Sequence, residues 1–90
     1  MKEEYKKLED IYSISNFGNV RNDATGYVLK PFIKGRKVVV GLWLYNASQL
    51  KQFGIALQVA KSFIDPAVKK VVRIDKNKFN NRLDNLKVYL

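Results

Sequence analysis

Large apolar and small polar side chains alternate from Tyr12 to Ser15, a period-two pattern that predicts a short strand. Asn16-Phe17-Gly18-Asn19 follows with turn chemistry, Gly18 being the residue suited to positive φ. Val20 resumes an extended stretch and Asn22 to Gly26 makes a second turn. Tyr27 to Lys30 then reads as strand until Pro31, which has no N–H for a ladder. The run from Val38 to Tyr45 is β-branched and aromatic and predicts the main strand, with Gly41 marking a bulge or a close backbone approach. Asn46-Ala47-Ser48 reads as a turn. The period then changes. Ile55, Val59 and Phe63 recur at four-residue spacing, with Ala56, Ala60 and Ile64 beside them, so Ile55 to Ile64 predicts one amphipathic helix stopped by Pro66. Val71, Val72 and Ile74 suggest another strand, Asp75 to Lys78 a turn, Asn80 to Leu86 a short helical knuckle, and Lys87 to Leu90 a last strand. Residues 1–10 show neither period and read as a loose or helical lead. The fold class expected is α+β: short antiparallel strands, one helix, one domain.

Composition narrows the chemistry. With 90 residues, no cysteine and no histidine, the chain lacks a disulfide framework, a thiolate metal site and the commonest general base. The longest apolar run is broken by Gln58, Lys61 and Ser62, so no membrane span is expected, and the acidic N-terminus does not read as a secretory signal. A soluble protein of the cytoplasm is the expectation. Seventeen Lys and Arg against eight Asp and Glu leave a formal charge of +9. Residues 1–10 hold three bases and four acids, so the excess lies entirely beyond them. Such a domain attracts polyanions. Interleaved aromatics (Tyr27, Trp43, Tyr45, Tyr89) and eight asparagines favour nucleic acid over a membrane surface, for which no basic amphipathic helix exists. Trp43 is expected in the core.

Two segments carry motifs. Tyr12-Ser13-Ile14-Ser15-Asn16-Phe17-Gly18-Asn19-Val20-Arg21, continued by Gly26-Tyr27-Val28-Leu29-Lys30-Pro31, resembles the nuclease-associated module of phage-type HNH homing endonucleases, Y-x-V-S-N-x-G-x-V-R followed by G-x-x-L-K-P. Val72 to Leu86 resembles the HNH stretch itself, (D/N)-H-I-D-G-N-x-x-N-N-R-x-E-N-L, and Phe53 to Ile64 is similar to the helix F-x-V-H-R-L-V-A-x-x-F-I. The resemblance divides the chain into a lead (1–10), the module (11–33), strand plus helix (34–66) and a degenerate HNH hairpin (67–90). It implies a ββα-metal scaffold whose closing helix is expected to be missing, because the sequence ends at Leu90.

The departures from the family matter most. The family's general-base histidine falls on Arg73, which cannot accept a proton at neutral pH. The adjacent metal-holding position falls on Val72, the turn glycine on Lys76, and a second histidine on Ala56. No catalytic residue, metal or cofactor is therefore expected. The expected function is that of a phage-encoded, non-catalytic binder of double-stranded DNA. Phosphate contacts are assigned to Arg21, Lys30, Lys34, Arg36, Lys37, Arg73, Lys76, Lys78 and Arg82. Asn16, Gly18, Asn81 and Asn85 are read as structural, Asn85 pinning the loop to the preceding strand by resemblance, while Asn80 and Asn81 suit capping or phosphate. Asp75 and Asn77 begin like a calcium loop, but Phe79 and Leu86 stand at its fifth and twelfth positions. The alternative is a small phage protein that inhibits an acidic host protein of transcription or replication. A third reading is residual nuclease activity with metal held by Asp75, Asp84 and the asparagines. An apolar patch around Leu86, Val88 and Leu90 suggests a homodimer.

Overall fold

The computed structural model describes residues 1–90 as three small antiparallel sheets gathered around one helix. The first sheet orders β1 (Tyr5–Glu9), β2 (Tyr12–Ser15) and β3 (Val20–Asn22). The second orders β4 (Phe32–Lys34), β5 (Lys37–Leu44) and β6 (Gln49–Gly54), and the third pairs β7 (Lys70–Arg73) with β8 (Leu86–Tyr89). The helix, α1 (Ile55–Phe63), packs on strands of all three. Its face of Ile55, Ala56, Val59 and Ala60 is buried, as the four-residue spacing requires. Residues two apart on β5 (Val38, Val40, Leu42 and Leu44) supply the opposing wall, and Tyr12, Ile14 and Val20 close the core from the first sheet.

Several expectations need correction. Residues 1–10 are not a loose lead: β1 pairs with β2 in the register Tyr5↔Ser15, Lys6↔Ile14, Lys7↔Ser13. Its charged pattern hides a strand because it lies at a sheet edge, where charge is tolerated and opposes further pairing. Lys6 even serves the core side. Its ammonium donates to the Ser62 carbonyl at 3.3 Å and lies 4.9 Å from the Phe63 ring. Tyr27 to Lys30 is not a strand either; only Val28 bridges to Arg21, with Leu29 N–H donating to Val20 O. Gly41 forms no bulge, since β5 and β6 stay in unbroken register from Val39↔Gly54 to Leu44↔Gln49. The irregularity lies between Lys7 and Glu9 instead. β6 itself carries no hydrophobic alternation, being exposed from Gln49 to Gln52, and follows from its hairpin with β5. Trp43 is outside the core, 44% exposed on the face of β5 opposite Leu42 and Leu44.

Candidate nucleic-acid interface

One position in the first sheet organises the site. Gly18 has φ +87°, the left-handed turn conformation, and a Cβ there would lie 2.9 Å from Asn81 Cβ and 3.2 Å from Asn81 O. The turn after β2 therefore presses directly onto the knuckle before β8. Asn16, 4% exposed, completes the joint: its Oδ1 accepts from Glu4 N–H, its Nδ2 donates to Lys2 O, and its carbonyl accepts from Leu83 N–H at 2.7 Å.

Asn81, 5% exposed, faces the other way with its amide oxygen, which accepts from both Nε and Nη2 of Arg73 at 3.1 and 2.9 Å. This two-point grip orients the guanidinium at the end of β7. No salt bridge involves Arg73; Arg21 pairs with Asp23 at 3.0 Å and Arg82 with Asp84 at 3.4 Å. Both paired arginines also lie over rings, Arg21 on Tyr5 and Arg82 on Phe17. Burial pulls the Arg73 pKa below its ordinary value, yet the guanidinium stays charged at neutral pH.

Arg73 lines a cavity of about 390 Å³ between β5, the start of α1 and β7. Lys37, Lys69 and Lys70 also line it, and no acidic residue does. Gly54, Ile55, Ala56 and Leu57 form its base. These are the N-cap and first turn of α1, where backbone N–H groups have no intrahelical partner, no side chain caps them and no acid occupies the turn. Free N–H groups and the positive end of the helix dipole favour an anion. The sequence adds to this on a larger scale: no Asp or Glu occurs from Ala24 to Ile64, while six Lys or Arg do. Arg73 and Ala56, the positions where the resemblance places two histidines, thus face one basic cavity.

The remaining nominated residues scatter. Lys34 pairs across the β4–β5 hairpin with Lys37 and donates to Gln52 Oε1 at 2.6 Å, with exposed Arg36 in the turn between. Lys30 is exposed ahead of β4, and Lys76 and Lys78 are exposed in the β7–β8 connection, outside the cavity lining. Lys69 and Lys70 join the lining as well, and their only signal in the sequence is a basic pair opening an apolar run.

The β7–β8 connection is held by its own amides. Asp75 Oδ1 accepts from Asn77 N–H and Asn85 Nδ2, both at 2.9 Å, and its Oδ2 from Asn80 Nδ2 at 2.8 Å. Asn85 also donates to Asn80 O and accepts from Asp75 N–H. These donors, Asn80 first, hold the Asp75 carboxyl below its usual range. Lys76 keeps the left-handed conformation, φ +62°, at the position where the resemblance has glycine. A divalent metal does not fit this donor set. Val72 offers no donor, Asp75 is committed to amides, Asp84 to Arg82, and no group of three His, Cys, Asp or Glu converges.

Fold and motifs together define a small α+β chain that is similar to part of the HNH homing endonucleases. Residues 3–43 match the NUMOD4 motif. The whole fold is similar to a solved structure of the HNH homing endonuclease I-HmuI, described for DNA binding and cleavage: TM-score 0.79, 29% identity, 96% of this chain and 52% of that one. The likeness to phage-type HNH homing endonucleases thus holds in sequence and in fold, and the chain spans about half the length of that enzyme. No curated protein matches.

Proposed function

We propose that this chain grips double-stranded DNA through its phosphates and leaves it uncut. The observation that carries the reading is the cavity at the α1 N-terminus, walled by Lys37, Lys69, Lys70 and Arg73 without an acid. A phosphate there accepts from the free N–H groups of the first helical turn and from guanidinium N–H groups not used by Asn81. Hydrolysis needs a group that takes a proton from water. Arg73 and Ala56 cannot, and Val72 cannot hold the metal that polarises the phosphate. Lys34 and Arg36 extend the grip along the backbone. In this reading the protein is phage-encoded and works in the host cytoplasm or nucleoid. Exposed Ile74, Tyr89 and Leu90 around the β7–β8 hairpin support self-association there.

The test is a titration against duplex DNA at two salt concentrations, with and without magnesium. Four to six neutralised phosphates give a log–log salt slope of about −3.6 to −5.4. A slope near zero overturns the reading. So does magnesium-dependent nicking of plasmid that Asp75→Ala abolishes. Recovery of one stoichiometric acidic host protein from nuclease-treated lysate, without duplex binding, makes the protein an inhibitor instead.

A further inference from the structure

The second sheet has an outward face that neither the core nor the phosphate cavity uses fully. Register places Val39 opposite Gly54, Gly41 opposite Gln52 and Trp43 opposite Leu50 on that face, with Phe32 beside Val39 and Lys34 beside Lys37. Phe32, Trp43 and Leu50 stand 43%, 44% and 65% exposed. Gly41 contributes no side chain between them, and the space its Cβ would fill lies 3.8 Å from both Phe32 Cε1 and Leu50 Cδ1. The result is a low apolar shelf flanked by lysines. Lys37, Val39, Gln52 and Gly54 belong both to this face and to the lining of the basic cavity, so shelf and cavity are continuous. Four residues of strand separate the Val39–Gly54 pair from the Trp43–Leu50 pair, about 13 Å, room for more than one base.

We propose that this shelf stacks unpaired bases, so that the protein engages DNA where a single strand leaves a duplex. The inference rests on the DNA-binding reading above and specifies its substrate. Charge complementarity selects the occupant, since the sheet and its connections hold no acid while Lys34, Arg36 and Lys37 border the shelf, which suits a polyanion. Aromatic faces select the state of that ligand. A paired base has both π-faces covered by its neighbours, whereas an unpaired base offers one to Trp43 or Phe32 and is held irrespective of sequence. The phosphate of the junction sits in the cavity, and the strand runs outward along β5 and β6.

Trp43 is the only tryptophan, so its emission reports the shelf directly. The experiment titrates the full chain with three probes: a blunt duplex, the same duplex with an eight-nucleotide oligo(dT) tail, and oligo(dT) alone. The expected result is about tenfold tighter binding of the tailed duplex than the blunt one, with quenching of Trp43 only by probes that carry the tail. Trp43→Leu and Phe32→Leu, which keep the shelf apolar, remove the tail preference in an anisotropy assay and leave blunt-duplex affinity unchanged. Equal affinity for tailed and blunt duplex without quenching overturns the shelf and leaves the duplex reading intact. Binding of oligo(dT) without any duplex binding overturns the duplex reading and keeps the shelf. A blue shift of Trp43 emission with protein concentration alone, matched by dimers in sedimentation, overturns the proposal by making the shelf a contact between two copies.

Discussion

Arg73 and the pair Arg21 and Arg82 are the same residue type in opposite electrostatic settings. Arg21 and Arg82 each have a carboxylate two residues along the chain, Asp23 and Asp84, and an aromatic ring beneath the guanidinium. Arg73 has only the neutral amide oxygen of Asn81, which orients it at two points and cancels none of its charge. Exposed ion pairs are worth about 0–1 kcal/mol in stability, but the carboxylate also repels an approaching phosphate. The lesson is that a cation's usefulness to a polyanion depends on what holds it in place. A carboxylate holds by neutralising, an amide holds without doing so.

The hardest way to break this comparison is to dislodge Asn81. Gly18→Ala puts a Cβ 2.9 Å from Asn81 Cβ at a left-handed position, so both strain and overpacking apply. The expected loss is about 3 kcal/mol of stability, read from denaturant melts. Next come changes to charge alone. Arg73→Gln is expected to weaken duplex binding about tenfold and reduce the salt slope by about 0.9. Asn81→Asp is close to isosteric and turns the Arg73 setting into that of Arg21; a fall in affinity of about fivefold with an unchanged melt is expected from the added carboxylate. Arg21→Gln and Arg82→Gln are expected to change affinity less than twofold, and a tenfold loss at either ends the distinction. Arg73→His sharpens it further. Wild-type affinity is expected to be flat from pH 5.5 to 8.5, because the chain has no histidine, whereas the variant loses affinity as pH rises through about 6.5.

Acid tests the carboxylates of the two regions. Asp23, held down first by the Ser13 hydroxyl, and Asp75, held down first by Asn80, both have lowered pKa values when folded. Their contribution is complete above the unfolded aspartate value of about 3.9 and disappears as pH falls through their lower folded values. Stability is therefore expected to fall below about pH 4. Asp75→Asn should flatten that acid limb in melts measured from pH 2 to 5. The smallest effect is expected at the turn. Lys76→Gly relieves a left-handed lysine at the expense of unfolded-chain entropy, for a net gain of about 0.5 kcal/mol.

Strength of periodicity decided which elements were readable. β5 and α1 announce themselves because hydrophobic residues recur every second or fourth position on a buried face, and β2 because large apolar residues alternate with small serines although both its faces are buried. β1 and β6 have little buried face, and their backbone pairing is dictated by neighbours, which leaves no trace in side-chain pattern. An aromatic in a β-branched run looks like core from either face, and only the register of the hairpin shows that Trp43 takes the outward one.

The amino-acid order by itself determined the charge excess, the presence of Arg73 and Ala56 rather than histidine at the positions resembling an HNH centre, and the turn chemistry at Gly18. These are properties of residue types and short spacings. Only the tertiary structure decided that Lys37, Lys69, Lys70 and Arg73 share one cavity, and that Asn81 rather than an acid steadies Arg73. The first depends on segments more than thirty residues apart being folded against α1, the second on the chain after β7 doubling back within eight residues, and Coulomb interactions act through distance in space, not along the chain.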